Sequence, residues 1–135
     1  MSEAFSIVVT DRNRHVRDLL QRELSAEGYQ VSVAASGSEV LQVLERLDRV
    51  DLIVLDLDLV GTDRSGPAAE WNALLGAANK PPILVHTFWS DDLMAAGGIL
   101  DQACALVEKS GDLEPLKRMI RRVLRQNISN RGNQR

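Results

Sequence analysis

The sequence predicts an α/β domain in which five parallel strands form one sheet with helices on both faces. Short apolar runs, several of them rich in β-branched residues, recur five times along the chain and are typical of buried strands. Segments with apolar residues at helical spacing separate most of these runs. Because strands that alternate with helices form parallel sheets through right-handed crossovers, this order predicts a doubly wound fold.

The length of 135 residues is enough for one domain with a single core. We expect this domain at residues 1–128 and a polar C-terminal tail at residues 129–135. The net charge of −3 provides no overall basic field, so direct binding of nucleic acid is not expected. No segment has the pattern of a signal peptide or the ~18 consecutive apolar residues of a membrane helix, which predicts a cytoplasmic protein without membrane contact.

The first half of the chain contains two predicted strand and helix pairs. Residues 5–9 are predicted as the first strand, which leads to Thr10 and Asp11 at its carboxyl end. An amphipathic pattern then predicts a helix over residues 13–27, which ends at Gly28.

A second strand at residues 30–34 precedes a helix that begins near Ser36. Glu39 lies three residues after this serine, and the pair forms the pattern of a capping box. The buried stripe of the helix is predicted to consist of Val40, Leu41, Leu44 and Leu47.

The central strand is predicted at residues 52–55 (Leu-Ile-Val-Leu), a continuous apolar run typical of a strand that is buried on both faces. Asp56 follows directly. In open α/β sheets, ligands bind in the crevice outside the carboxyl ends of the strands, which makes Asp56 a candidate functional residue. The structural alternative is that Asp56 caps the helix that follows.

The second half of the chain repeats the alternation. A turn at residues 61–66 precedes a third predicted helix, and a fourth strand at residues 83–87 ends at Thr87. The fourth predicted helix contains Gly97-Gly98 and is expected to be short, since glycine destabilises a helix interior. A fifth strand at residues 106–108 leads to Lys109. The last helix has the most regular apolar stripe, which consists of Leu116, Met119, Ile120, Val123 and Leu124.

Four side chains follow the carboxyl ends of the predicted strands and should therefore meet at one edge of the sheet: Asp11, Asp56, Thr87 and Lys109. Two carboxylates are suitable ligands for Mg²⁺. A carboxylate can also act as a nucleophile towards a phosphoryl group, whose oxygens a hydroxyl and an ammonium group would bind. Because phosphorylation adds a charge of about −1.5 to −2, such a site would act as a switch.

These motifs resemble a receiver domain of a two-component response regulator over residues 4–125. The segment at residues 8–11 (Val-Val-Thr-Asp) is similar to the first strand of that family, with Asp11 in the position of a metal ligand. The segment at residues 51–56 (Asp-Leu-Ile-Val-Leu-Asp) resembles the phosphoacceptor strand and has Asp56 in the acceptor position.

The resemblance extends to three further positions. The backbone carbonyl of Asp58 corresponds to a third metal ligand, Thr87 to the switch hydroxyl and Lys109 to the lysine that binds the phosphoryl group. The resemblance therefore implies a flavodoxin-like sheet with strand order 2-1-3-4-5 and phosphorylation of Asp56, with Mg²⁺, by a histidine kinase or phosphotransfer protein. It further implies that the fourth helix, fifth strand and last helix bind a downstream protein, and that any catalysis is limited to self-phosphorylation and autodephosphorylation.

Several residues depart from the pattern of the family. Thr10 replaces an acid, Leu106 replaces an aromatic switch residue, and Phe88 is bulky where a small residue is usual. Val60 and Ser110 each replace a proline. These departures favour an alternative interpretation, in which the chain is a phosphorylation-independent pseudo-receiver that serves as a binding module.

A third interpretation is a haloacid-dehalogenase-like phosphohydrolase, since residues 56–60 (Asp-Leu-Asp-Leu-Val) fit the motif of that family. Asp58 would then be the general acid and base. Two observations argue against it: the motif lies on the third predicted strand, and no acidic pair follows Lys109.

Three other residues have structural interpretations. Cys104 is the single cysteine and is expected to be a small buried residue. His15 and His86 have no partner at metal-ligand spacing, so both are expected to have structural roles.

Overall fold

The computed structural model describes residues 4–57, 80–88 and 103–133, and it describes side chains as far as residue 126. The strands are β1 (Ser6–Thr10), β2 (Gln30–Ala34), β3 (Leu52–Leu55), β4 (Ile83–Thr87) and β5 (Ala105–Glu108). The helices in these ranges are α1 (Arg14–Ala26), α2 (Gly37–Arg46) and α3 (Glu114–Asn133). The third and fourth predicted helices and the turn at residues 61–66 lie outside the described residues.

The strands form one five-stranded sheet with the order β2-β1-β3-β4-β5, and every neighbouring pair is parallel. The predicted α/β fold and its strand order are therefore confirmed. The predicted strand positions agree with the structure to within one residue, since β1 begins at Ser6 and β5 at Ala105. All carboxyl ends point to the same edge of the sheet, and this edge carries the candidate site.

Both faces of the sheet are covered by apolar layers, and the alternation of side chains along each strand assigns them to one layer or the other. Layer one combines β1 residues Ile7 and Val9 with α1 and α3, and layer two combines Val8 with α2. β3 divides in the same way, with Leu52 in layer one and Ile53 in layer two. The uninterrupted apolar run of β3 is explained by this double coverage.

Side-chain caps occur at the amino ends of α1 and α2, and a glycine follows the carboxyl end of α1. Asn13 caps α1 by accepting hydrogen bonds from two backbone N–H groups of the first turn, and Gly28, with φ +96°, follows the end of the helix. Ser36 caps α2 by accepting from the N–H of Glu39 at 3.2 Å. The Glu39 carboxylate accepts in return from the N–H of Ala35 at 2.6 Å, one residue before the usual partner in a capping box.

Helices α1 and α3 pack side by side over layer one. Lys117 Nζ lies 3.2 Å from Glu23 Oε1, and Arg121 Nη1 lies 3.5 Å from Glu27 Oε1. α3 continues to Asn133, so its backbone is helical beyond residue 128, and the domain boundary at that residue stays a prediction. None of the helices in the described part of the chain is long and apolar enough to cross a membrane.

The structure corrects one expectation about the core. Cys104 is exposed, although its apolar sequence neighbours predicted burial. The residue immediately precedes β5, which is an edge strand of the sheet, and its backbone N–H donates to the carbonyl of Ile83 at 2.8 Å. Among the described strands, none lies on the other side of this residue.

Candidate functional site

Asp11, Asp56 and Lys109 meet at the carboxyl edge of the sheet. Lys109 Nζ lies 2.7 Å from Asp11 Oδ2 and 3.3 Å from Asp56 Oδ1. The two carboxylate side chains are each 1% exposed and the lysine side chain is 9% exposed. Because Lys109 follows β5 and Asp56 follows β3, the lysine side chain reaches across the end of β4, which lies between these strands.

The carboxylate of Asp11 is held by groups on both of its sides. Oδ1 accepts a hydrogen bond from the N–H of Asn13 at 2.8 Å, and Oδ2 accepts from Lys109. The backbone carbonyl of Asp11 accepts from Arg17 Nη1 at 2.7 Å. The residue also lies just before the amino end of α1, where the helix dipole favours a negative charge. Asp11 is thereby fixed between the sheet and the first helix.

Asp56 is held through its backbone and through its carboxylate. Its backbone N–H donates to Thr10 Oγ1 at 3.2 Å, and the Thr10 hydroxyl donates to the carbonyl of Val54 at 3.1 Å. Asp56 Oδ2 lies 3.5 Å from the N–H of Arg12, at the limit of a hydrogen bond. In the sequence, Thr10 stands out only because it replaces an acid of the family pattern. The sequence does not predict that its hydroxyl connects the ends of β1 and β3.

Thr87 is buried at the end of β4, on the same edge of the sheet as the two aspartates. Its backbone carbonyl accepts from the N–H of Lys109 at 2.8 Å. Within the described part of the chain, the Thr87 hydroxyl donates a hydrogen bond to the backbone carbonyl of Phe88 at 3.4 Å. The structure thus brings Thr87 to the site but turns its hydroxyl to a local backbone group. Asp58, the predicted third metal ligand, lies outside the described residues.

Phe88 contacts the lysine of the site. Lys109 Nζ lies 5.4 Å from the centroid of the phenyl ring, which is the geometry of a cation–π interaction. The phenylalanine is 61% exposed, whereas the lysine is nearly buried. An exposed aromatic ring therefore packs against one side of the nearly buried ammonium group.

His86 is a buried neighbour of the site on β4. Its pKa is lowered from 6.5 to about 4, mainly by burial and in smaller part by the positive charge of Lys109, while the negative charge of Asp11 acts to raise it. The imidazole is therefore neutral at neutral pH. It adds no positive charge beside the two aspartates.

The donor set is suitable for a hard cation such as Mg²⁺, which binds one or two carboxylates and keeps several waters. Asp11 and Asp56 both approach one ammonium group, so their carboxylates are placed to share a single cation. Within residues 4–57, 80–88 and 103–126, no group of three or more histidine, cysteine, aspartate or glutamate side chains is arranged to hold a metal ion. A metal at this position would therefore depend on backbone carbonyls or water for its other ligands.

The remaining departures from the family pattern are also located. Leu106 is half-buried and packs against layer two, so this position serves the core. Ser110 is exposed, and its hydroxyl donates to the carbonyl of Asp112 at 2.9 Å. Val60 lies outside the described residues.

Comparison with known proteins identifies the family. The family model of the response regulator receiver domain matches residues 7–121. The transcriptional regulatory protein AfsQ1 of Streptomyces coelicolor is 32% identical over 120 residues, which cover 89% of this chain and 51% of that protein. The response regulator MprA of Mycobacterium tuberculosis is 34% identical over 119 residues, which cover 88% of this chain and 50% of that protein. The chain thus spans about half the length of the curated relatives it matches.

Solved structures share the fold. The response regulator TrrA of Thermotoga maritima, solved in complex with Mg²⁺-BeF, superimposes with a TM-score of 0.70 at 24% identity, and the match covers 88% of this chain and 98% of that one. The chemotaxis response regulator CheY4 of Vibrio cholerae gives a TM-score of 0.72 at 22% identity, over 90% of this chain and 99% of that one. The phosphohydrolase interpretation has no support in these matches. The family match and the sheet order together show that this chain belongs to the response regulator receiver domains of two-component systems.

Proposed function

We propose that Asp56 is the phosphoacceptor of this receiver domain and that a histidine kinase or phosphotransfer protein supplies the phosphoryl group. The observation that carries the proposal is the shared lysine: Lys109 Nζ contacts both Asp11 and Asp56 in a nearly buried cluster. Two carboxylates beside one ammonium group, at the edge where parallel sheets bind ligands, form a suitable site for phosphoryl transfer.

In the transfer step, a carboxylate oxygen of Asp56 attacks the phosphorus atom of the donor. The bond from phosphorus to the donor's imidazole nitrogen breaks, the nitrogen keeps the electron pair, and an aspartyl phosphate forms on the receiver. Lys109 then pairs with a phosphoryl oxygen instead of the carboxylate oxygen that it contacts before transfer. Thr87 turns its hydroxyl from the Phe88 carbonyl to another phosphoryl oxygen.

We propose Mg²⁺ as the cofactor, held by the carboxylates of Asp11 and Asp56 and by the backbone carbonyl of Asp58. When bound, this ion neutralises the charge of the phosphoryl group that approaches the acids. Thr10 contributes a neutral hydroxyl where a further acid is usual, so we expect the affinity for the cation to be modest. A cation bound by Asp11 would compete with Lys109 for the negative charge of that carboxylate, which would lower the affinity further.

The new charge would be transmitted through β4 and β5. The backbone of Lys109 is bonded to that of Thr87, so a displacement of the lysine is shared by the ends of both strands. We propose that the surface formed by the fourth predicted helix, β5 and α3 then changes its affinity for a downstream protein. The proposed role is regulatory and cytoplasmic, without membrane contact or direct nucleic-acid binding, and with catalysis limited to self-phosphorylation and autodephosphorylation at Asp56.

The test is mass spectrometry after incubation with acetyl phosphate and Mg²⁺, with the modified residue mapped. We expect the added mass of one phosphoryl group on Asp56, and no such product from Asp56→Asn. Asp18→Asn is the matched control because Asp18 is exposed on α1 and lies outside the cluster. Phosphorylation that persists in Asp56→Asn would show that the acceptor is another residue.

The pseudo-receiver is the second candidate function. It is favoured by one observation: both carboxylate oxygens of Asp11 already have hydrogen-bond donors, so this carboxylate is satisfied without a bound metal ion. Titration with beryllofluoride and Mg²⁺ at millimolar concentration separates the two functions. Binding would favour the phosphorylated switch, and its absence, together with the absence of an aspartyl phosphate, would favour a binding module that works without phosphorylation.

A further inference from the structure

Thr10 continues the connection between β1 and β3 after their backbone pairing ends. The last pair in the register is Val9 with Val54, so the next residue of β3 is Leu55. The Thr10 hydroxyl donates to the carbonyl of Val54 and accepts from the N–H of Asp56, the two backbone groups that flank Leu55. If the parallel ladder continued, the N–H of Asp56 would donate to a backbone carbonyl of β1, so the side-chain hydroxyl of Thr10 takes the place of that partner.

We propose that Thr10 is a positioning residue, which sets the orientation of Asp56 through the backbone of the acceptor strand. The proposal rests on the proposed function of Asp56. Thr10 as a residue is 1% exposed, so water does not compete with its hydroxyl for the Asp56 N–H. Only the Cβ atom separates the Asp56 carboxylate from the backbone that this hydrogen bond holds in place. Its distance to Lys109 and its direction of approach to a donor therefore depend on the hydroxyl.

The chemistry of a hydroxyl explains why this role differs from that of an acid at the same position. A hydroxyl donates one hydrogen bond and accepts another, and both bonds are used here. A carboxylate could accept from the Asp56 N–H, but it has no proton for the carbonyl of Val54 and would repel it. Compared with an acid at this position, threonine therefore holds the end of the acceptor strand through two hydrogen bonds. It provides one negative charge fewer for the binding of a cation.

Three substitutions separate positioning from cation binding. Thr10→Val removes the hydroxyl and keeps the shape, Thr10→Ser keeps the hydroxyl, and Thr10→Asp adds a charge without a donor. The rate of phosphorylation by acetyl phosphate is measured against Mg²⁺ concentration for each protein. For Thr10→Val we expect a maximal rate lower by about tenfold and a nearly unchanged half-saturating Mg²⁺ concentration, because a misoriented nucleophile slows chemistry but the hydroxyl is not a cation ligand.

Thr10→Ser should restore the maximal rate to within about twofold of the natural protein, and Thr10→Asp should lower both the maximal rate and the half-saturating Mg²⁺ concentration. A Thr10→Val rate equal to that of the natural protein, or a Thr10→Ser rate as low as that of Thr10→Val, would overturn the proposal. Circular dichroism checks that each variant is folded, and Thr10→Ala replaces the valine variant if that protein does not fold.

A readout that needs no phosphorylation keeps this inference separate from the proposed function. Amide hydrogen exchange at Asp56 should be faster by about tenfold or more in Thr10→Val than in Thr10→Ser, because the N–H loses its partner only in the valine variant. If the natural protein takes up no phosphoryl group, the proposed function fails while this comparison still tests the hydrogen bond. Equal exchange in the two variants would overturn the role of Thr10.

Discussion

Lys109 and Asp11 form a buried ion pair, with Nζ 2.7 Å from Oδ2, although 98 positions separate them in the sequence. The same ammonium group lies 3.3 Å from Asp56. Removal of either partner from a buried pair leaves an uncompensated charge and is strongly destabilising. The cluster therefore contributes to the stability of the domain as well as to its proposed chemistry, and the two contributions can be measured separately.

Lys109→Met should lower the free energy of unfolding by about 3 kcal/mol at neutral pH, because two buried carboxylates then lose the ammonium group that they share. Urea denaturation measures this difference. Lys117→Met is the matched control, since its partner Glu23 is partly exposed and the pair lies away from the cluster, so a much smaller change is expected. A loss in Lys109→Met no larger than that in the control would show that the carboxylates do not depend on the lysine.

If the proposed Mg²⁺ site is formed, Asp11→Asn should weaken Mg²⁺ binding by roughly tenfold or more, a loss that even the outer partners of metal ligands can cause. The asparagine keeps an oxygen for the N–H of Asn13, so the turn is retained while the charge is lost. Isothermal titration calorimetry gives the affinity directly. Asp48→Asn serves as the control because Asp48 precedes β3, at the opposite edge of the sheet. Equal affinities for the two variants would remove Asp11 from the set of cation ligands.

The stability of the domain should fall as the pH decreases from 6.5 towards 4, and His86 is one cause. Its pKa is about 4 in the folded protein and 6.5 in the unfolded chain, so the unfolded state binds the proton first. The contribution of neutral His86 to the free energy of unfolding is fully present above pH 6.5. As much as about 3 kcal/mol of it is lost near pH 4.

His86→Gln should reduce the slope of unfolding free energy against pH between pH 7 and pH 5, as measured by urea denaturation at several pH values. His15→Gln is the matched control, because His15 is exposed on α1. It should leave the slope of the natural protein unchanged. The same slope in both variants would mean that the carboxylates of the domain, and not this imidazole, determine the acid sensitivity.

Phe88→Ala should make Lys109 more reactive towards an amine-modifying reagent, because it removes a ring that packs against one side of the ammonium group. Loss of the cation–π contact should also lower the free energy of unfolding by about 0.5–1 kcal/mol. Mass spectrometry of peptides measures the modification of Lys109 over time. Phe88→Leu keeps an apolar side chain without the aromatic ring and should give an intermediate reactivity. Unchanged reactivity in the alanine variant would show that the ring does not shield the lysine.

The meeting of Asp11, Asp56 and Lys109 could be predicted from the sequence because parallel topology determines which residues become neighbours. Asp11, Asp56 and Lys109 each follow a strand, and strand ends at one edge of a sheet are neighbours regardless of sequence distance. The uninterrupted apolar run of β3 also required a strand covered on both faces. The contacts of individual side chains are not determined by the order of the strands and could not be predicted in the same way.

The role of Thr10 depends on the position at which the pairing of β1 with β3 ends, and this register is not encoded by hydrophobic periodicity. The contact of Phe88 with Lys109 depends on two side-chain conformations. Cys104 was predicted to be buried because its neighbours are apolar, but exposure is determined by its place beside an edge strand.

The packing of α1 against α3 has a consequence for synthesis of the chain. Layer one of the core takes Leu20 and Leu24 from the first helix and Leu116 and Ile120 from the last. A ribosome therefore has to translate nearly the whole domain before this layer can close. Until then, the apolar stripe of α1 is available to chaperones and to other nascent chains, whereas layer two contains none of the α3 side chains that the structure describes.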